Sequence, residues 1–272
     1  MIARLKITKI LLTLTLTMAA LVSGCATAAA ARTGPSPAES QKKRSQATET
    51  SPQYQYEKGA IALRYGLTDE AIRYGKLGVS LDPEHFNSWS LLGSAYYTKG
   101  EYGPAAEAYG KAAALKPDAA DVQRNLGLAW IELKETEKAQ AALKKAFELN
   151  EDAEAAYYLG RLFYVEKKVD EALEFALKAI QKNGRSAKAY NLKGVILNQM
   201  GRYLEAAGSF QAGLVLAPED IGLQVNLGIA YINTNEPAKA KAVFEAVLPN
   251  IKEQALKDQV ENYLKSIKDA GK

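Results

Sequence analysis

The sequence predicts an all-α solenoid: six helix-turn-helix motifs stacked in file and closed by a C-terminal capping helix. Three observations carry this. Pro83 and Pro117 stand 34 residues apart, and a fixed period of this length marks stacked repeats. Around the prolines the same small and aromatic residues return in near-constant register, most fully as Trp89, Leu92, Gly93, Tyr96, Gly100, Ala105, Tyr109, Ala112 and Pro117. Within each copy apolar residues recur at i, i+3, i+4 and i+7, the spacing of amphipathic helices. The chain has 272 residues, 47% hydrophobic and 24% charged, a composition that suits packed rather than fibrous or disordered structure.

The N-terminal segment precedes the repeats and is of another kind. Arg4, Lys6 and Lys9 give a basic start with no acid, Ile10 to Val22 is apolar or threonine, and Ser23, Gly24 and Cys25 follow. A basic stretch, an apolar stretch and small residues make a secretory signal. Val22-Ser23-Gly24-Cys25 resembles the bacterial lipobox, which implies cleavage after residue 24 and lipid on the Cys25 sulfur. Several acyl chains hold a protein to a membrane stably, whereas one holds it marginally. Ile10 to Ala31 is also uncharged over a length that an uncleaved spanning helix would need, and cleavage among the alanines is a third reading. The one cysteine of the chain falls at the position the lipobox requires, which favours the first. Ala26 rather than aspartate after the cysteine implies, by the sorting rule of enteric-type bacteria, the outer membrane.

Residues 25–53 read as the lipidated cysteine and a tether. The stretch is rich in Ala, Ser, Thr and Pro and poor in large apolar groups, so it cannot bury enough surface to offset its ordering entropy. As a coil, 28 residues reach roughly 30 Å, and fully extended about 90 Å.

Residues 54–249 hold the six motifs. The second has been quoted; the others repeat its frame as Leu126, Gly127, Trp130, Ala139 and Ala146, then Leu159, Gly160, Phe163, Ala172 and Ala179, then Tyr190, Gly194, Gly201, Ala206, Phe210 and Pro218, then Leu227, Gly228, Tyr231, Ala240 and Phe244. A degenerate first copy has Gly59, Gly66, Ala71 and Pro83. The frame resembles the tetratricopeptide repeat (TPR) almost completely, and the resemblance implies a superhelical stack of paired helices, A then B. The small residues at positions eight and twenty let the paired helices approach, and aromatics at eleven and twenty-four fill the space between them. Proline at position thirty-two ends helix B, since it neither donates an N–H nor lets its predecessor stay helical. Glu151 and Gly184 replace it in the third and fourth motifs, and the step into the fourth is one residue short, so an irregularity is expected there. In motif one Lys58, Ala62, Gly75 and Gly78 replace large apolar residues, as expected of an end with no neighbour. Residues 250–272 close the other end: Ile251 to Lys268 reads as a helix with Ile251, Ala255, Leu256, Val260, Tyr263, Leu264 and Ile267 along one stripe, a form that shields the last repeat.

No constellation for catalysis, metal or cofactor emerges. One cysteine and one histidine exclude an internal disulfide framework and multi-thiolate zinc, and His85 is expected to be a solvated loop residue. No phosphate-cradling glycine motif is present. Acidic pairs such as Glu151-Asp152 sit at repeat junctions, where they cap the next helix.

What remains is a groove. The resemblance implies that A helices line the concave side and that positions 2, 5, 6, 9, 12 and 13 face it. These positions give Asn87, Ser90, Ser94, Tyr97, Arg124, Asn125, Tyr157, Tyr158, Arg161, Tyr164, Asn191, Asn198, Asn226 and Asn233. Asparagine donates to and accepts from a peptide backbone at once, and Tyr and Arg supply large anchors. An envelope protein or peptide segment is therefore the expected ligand, the alternative being that several of these side chains merely solvate an exposed face or, for Tyr157 and Tyr158, join the core. A chaperone-type carboxylate clamp is not expected, since Glu154 and Tyr158 stand where it needs Lys and Arg.

The formal charge of +4 is misleading. Residues 1–24 hold three of the cations, the tether adds a net +2, and the repeats carry 28 basic against 29 acidic residues. Nucleic acid is not an expected partner. Lipid anchor, tether and six motifs together resemble the PilF/PilW/Tgl-like lipoproteins that help assemble the type IV pilus secretin. The resemblance is architectural. It implies a non-enzymatic scaffold on the periplasmic side of the outer membrane; an adaptor for peptidoglycan hydrolases or for outer-membrane protein assembly has the same layout, and a lipid-anchored enzyme is disfavoured by the missing chemistry.

Overall fold

A computed structural model describes residues 50–270. The chain divides into two units, Met1–Arg44 and Ser45–Lys272, and all described residues belong to the second. Cys25, the leader and most of the expected tether lie outside them.

Among the described residues there are thirteen α-helices and no strand. The A helices are α1 (Pro52–Arg64), α3 (Phe86–Lys99), α5 (Ala120–Glu132), α7 (Ala153–Val165), α9 (Ala187–Gln199) and α11 (Ile221–Asn233). The B helices are α2 (Thr68–Leu81), α4 (Tyr102–Leu115), α6 (Thr136–Asn150), α8 (Val169–Lys182), α10 (Tyr203–Leu216) and α12 (Pro237–Val247). A 3₁₀ turn at Leu248–Asn250 precedes α13 (Gln254–Ala270). None is long and apolar enough to cross a membrane.

Each A helix packs on its own B helix, and each B helix on the next A. The six A-to-B turns share one device. Gly66, Gly100, Lys134, Lys167, Gly201 and Asn235 all take positive φ, between 58° and 82°. The next residue's N–H then reaches back to a carbonyl five residues earlier, as in Leu67 to Ala62, Glu135 to Trp130 and Glu236 to Tyr231 at 2.8–2.9 Å. This is the Schellman closure of a helix C-terminus. At the other ends Ser51, Asp152, Ser186 and Asp220 accept the N–H of Tyr54, Ala155, Ala189 and Leu223, satisfying one orphan donor each.

The packing bears out the roles expected of the small residues. Ala71, Ala105, Ala139, Ala172, Ala206 and Ala240 are wholly buried. A Cβ on Gly93 would meet the Tyr109 ring at 2.5 Å, on Gly127 the Leu143 side chain at 2.6 Å and on Gly228 the Phe244 ring at 2.5 Å. Where position twenty-four is not bulky (Gly75 and Ala176), a leucine of the next A helix, Leu92 or Leu192, enters instead. Gly75 and Gly78 are thus not an outward cap: they are buried against Leu92 and Ser88 of α3. The exposed end of motif one is the flank of α1 and the turn after it, with Ile61, Tyr65 and Leu67 open to solvent.

The irregular junction is where expected. The other B-to-A loops have four residues; between α6 and α7 only Glu151 and Asp152 remain. The missing residue is absorbed by one more residue of α6 and by Glu151 in the left-handed region at φ 54°.

The C-terminal helix differs from expectation in its start. Pro249 stops α12 early, Ile251 is buried in extended backbone, and α13 begins only at Gln254. Ala255 is exposed rather than on the stripe. Val260, fully buried, and Tyr263, stacked on Phe244 at 5.4 Å, carry the contact. His85 also departs from a solvated role. It is half-buried, its Nδ1 shares a 2.7 Å hydrogen bond with the buried Ser88 hydroxyl, and its ring meets Tyr56 edge-on.

Candidate functional site

The backbones of successive A helices come into contact at four of the five junctions, while those of successive B helices stay further apart. A stack that is tighter on one side curves toward it, so the A helices line the inner face. At the short third junction the A helices, α5 and α7, approach each other less closely in backbone than at the other four.

The middle of this face is an aromatic and cationic patch. Tyr157 and Tyr158 on α7 meet edge-to-face at 5.1 Å. Arg161, one turn on, stands 5.9 and 5.7 Å from their ring centroids. Lys188, at the start of α9, approaches the same rings at 4.9 and 5.6 Å and donates to Glu154 at 2.8 Å. Ring quadrupoles attract such cations. Arg161 has no carboxylate partner among the described residues, so its charge is held in place by the rings and left unneutralised. Tyr157 and Tyr158 pack partly on the core, which fixes the platform. Tyr97 on α3 touches Tyr102 at 5.3 Å. Its hydroxyl is pushed up to about 12, first by burial, then by the Glu132 carboxylate and the neighbouring phenols, Tyr158 among them. Residues of three successive motifs therefore share one face.

The other expected groove residues are placed less openly. Arg124 donates to Asp152 at 2.6 Å and lies 3.7 Å from Glu154. It ties the third motif to the fourth across the two-residue loop rather than offering a free cation. Asn125 lies beside the buried Tyr109 hydroxyl, which donates to Ser94 at 3.0 Å. Asn226 donates to Asn191, and Asn233 to Asn198, each at 2.9 Å. These amides are partners of one another, though each pair keeps an unused N–H₂ and carbonyl. They bracket Val195, Ile229 and Ile232, all half-buried. Asn87 lies half-buried in the first turn of α3, away from the patch.

Two features escaped the sequence. Lys188 occupies position 2 of motif five, a groove position in the same frame, and could have been read there. A recess of about 340 Å³ between α1 and α3, lined by Tyr56, Leu63, Arg64, Ser90 and Ser94, was missed because motif one read as a cap. Among the described residues no three His, Cys, Asp or Glu are grouped to hold a metal.

Comparison with known proteins agrees with this architecture. Models of the tetratricopeptide repeat match residues 135–186 and 221–248, and one described as TPR repeat matches 93–133. The type IV pilus assembly protein PilF of Pseudomonas aeruginosa is 32% identical over 136 residues, 49% of this chain and 54% of PilF. The BBSome complex member BBS4 of Bos taurus is 26% identical over 151 residues, 56% of this chain and 29% of BBS4. The chain thus spans between about a third and half the length of these relatives. In three dimensions a solved PilF structure superposes with TM-score 0.69 at 19% identity, over 78% of this chain and 96% of that one. YrrB, described as a TPR protein with an unusual peptide-binding site, gives 0.58 at 19% identity, over 69% and 97%. Both establish the fold alone.

Proposed function

We propose that this tetratricopeptide repeat protein, similar in its repeats to PilF, is a non-enzymatic scaffold held at the bacterial outer membrane by lipid on Cys25. It binds an envelope protein through the inner face of its solenoid and assists assembly of a type IV pilus secretin. That the repeats form a protein-interaction scaffold follows from the fold. The observation that carries the groove reading is the Tyr157–Tyr158 platform with an unneutralised Arg161 above it, because aromatic and arginine anchors in a concave site dominate binding energy. The secretin reading is supported by the sequence similarity to a pilus assembly protein across half of each chain.

Two experiments test the parts separately. Replacing Cys25 with Ala should release the protein into the soluble envelope fraction or leave the precursor uncut; anchoring that persists would point to a spanning leader. Affinity capture from a solubilised envelope extract with the wild-type protein should recover the secretin, whereas recovery of a peptidoglycan hydrolase would replace that reading with the adaptor one. Tyr158→Ala with Arg161→Ala should cut the recovered partner at least tenfold with helicity retained. Undiminished capture would move the site off the groove.

A further inference from the structure

Among the described residues every A helix except α1 follows a B helix. The side chains at positions three and ten of the motif are buried wherever that B helix is present. Ser88, Val122, Ala155, Ala189 and Leu223 at position three are wholly buried, as are Ala95, Ala129, Ile196 and Ala230 at position ten. A Cβ on Gly213 of α10 would meet Leu223 at 2.8 Å, and one on Gly78 of α2 would meet Ser88, so position three lies hard against the preceding B helix. In α1 the two positions are Tyr54 and Ile61. With Lys58 and Tyr65 they form one stripe at i, i+4, i+7 and i+11. Tyr54 is half-buried, while Ile61 is 49% and Tyr65 76% exposed. The Lys58 ammonium is drawn over the Tyr54 ring, 5.5 Å from its centroid. The stripe is a helix-packing surface without its helix.

Residues 26–49 hold no large apolar side chain, so that stretch offers nothing to bury against Ile61 and the two rings. The far end of the solenoid does not match the stripe either. The last helix, α13, turns Asp258, Glu261, Lys265 and Lys268 outward, and a head-to-tail stack would lay these charges on apolar groups. The stripe does match itself. Glu57 and Arg64 are exposed, seven residues apart, and lie along the same flank of it. Glu57 accepts from the Gln53 amide at 2.8 Å, and neither charge has an ion pair among the described residues. When two copies of α1 pack antiparallel about a two-fold axis between residues 60 and 61, Glu57 of each copy faces Arg64 of the other. A two-fold contact makes every such pair twice, and complementary charge fixes the register.

We propose that α1 is a self-association surface, on which a second copy of this chain packs its own α1 antiparallel. Ile61 lies at the centre of the contact, Tyr54 and Tyr65 toward its ends, and the two Glu57–Arg64 pairs along one side. Glu57 and Arg64 occupy positions six and thirteen, on the flank nearest the inner face. Both inner faces of the dimer therefore open to the same side and present two grooves to one assembly.

The test follows the mass of the full chain in detergent by sedimentation over a range of concentrations. A concentration-dependent dimer is expected. Glu57→Arg alone or Arg64→Glu alone sets like charges together twice and should weaken dimerisation about tenfold or more, with helicity retained. Both changes in one chain should restore it. Under mild oxidation Ile61→Cys should cross-link two copies well beyond the wild-type background. A chain that stays monomeric, single reversals that leave the dimer unweakened, or a double reversal that fails to restore it would each overturn the proposal. So would a cross-link between residues 61 and 266 in a chain carrying Ile61→Cys and Ser266→Cys, the sign of head-to-tail stacking.

Discussion

At the scale of single residues the six A-to-B turns form a natural experiment. Three of them put glycine at the left-handed position and three do not. A lysine there carries a Cβ penalty that glycine escapes. Lys134→Gly and Lys167→Gly should each stabilise the fold by about 1 kcal/mol, the left-handed penalty of a Cβ less the extra chain entropy of glycine, raising the melting temperature in a calorimetric scan; a fall would mean the lysine side chains contribute more than the backbone costs. The same residues show why the sequence was readable. Gly93, Gly127 and Gly228 announce close helix approach because nothing larger fits against Tyr109, Leu143 and Phe244. Arg124 was not readable in this way. Its partners Asp152 and Glu154 are 28 and 30 positions away, and only the short loop brings them over α5.

Among the elements, the helices were legible because each motif repeats one amphipathic pattern, and the terminal helix less so. Its apolar stripe extends back through Ile251, but Pro249 forces a 3₁₀ turn and three further residues before α13 can start. What α13 does is seal the last repeat. Val260 is its one fully buried residue and lies in the cluster with Phe244 and Val247. Val260→Ala removes two buried methyl groups and should cost about 2 kcal/mol, measured by urea denaturation. A cost below about 0.5 kcal/mol would mean that the cap is an appendage. The groove was the least legible element, since position in the frame tells which residues face inward but not which have already paired. Asn191 and Asn198 look free in the sequence and are bonded to Asn226 and Asn233 in the fold.

Across the described repeats, each motif packs its helices mainly on those of its neighbours, so stability is a sum of local terms rather than one global core. Damage should then stay near its source. In Val260→Ala, amide hydrogen exchange is expected to quicken in α11 and α12 while α1 to α4 exchange as in the wild type. Uniform acceleration along the solenoid would show a single cooperative unit instead.

The two-residue loop at Glu151-Asp152 has one more consequence, for symmetry. Motifs one to three advance by equal steps of 34 residues, as do motifs four to six, but the step between these blocks is 33. No single screw operation therefore carries the first block through the second: the molecule is two short helical lattices joined at a phase slip. The aromatic patch and the asparagine pairs fall in the second lattice, the Tyr56 recess in the first. A straight, strictly periodic ligand can keep register with one lattice or the other. A ligand that runs the full length of the inner face must carry a discontinuity of its own at the same place.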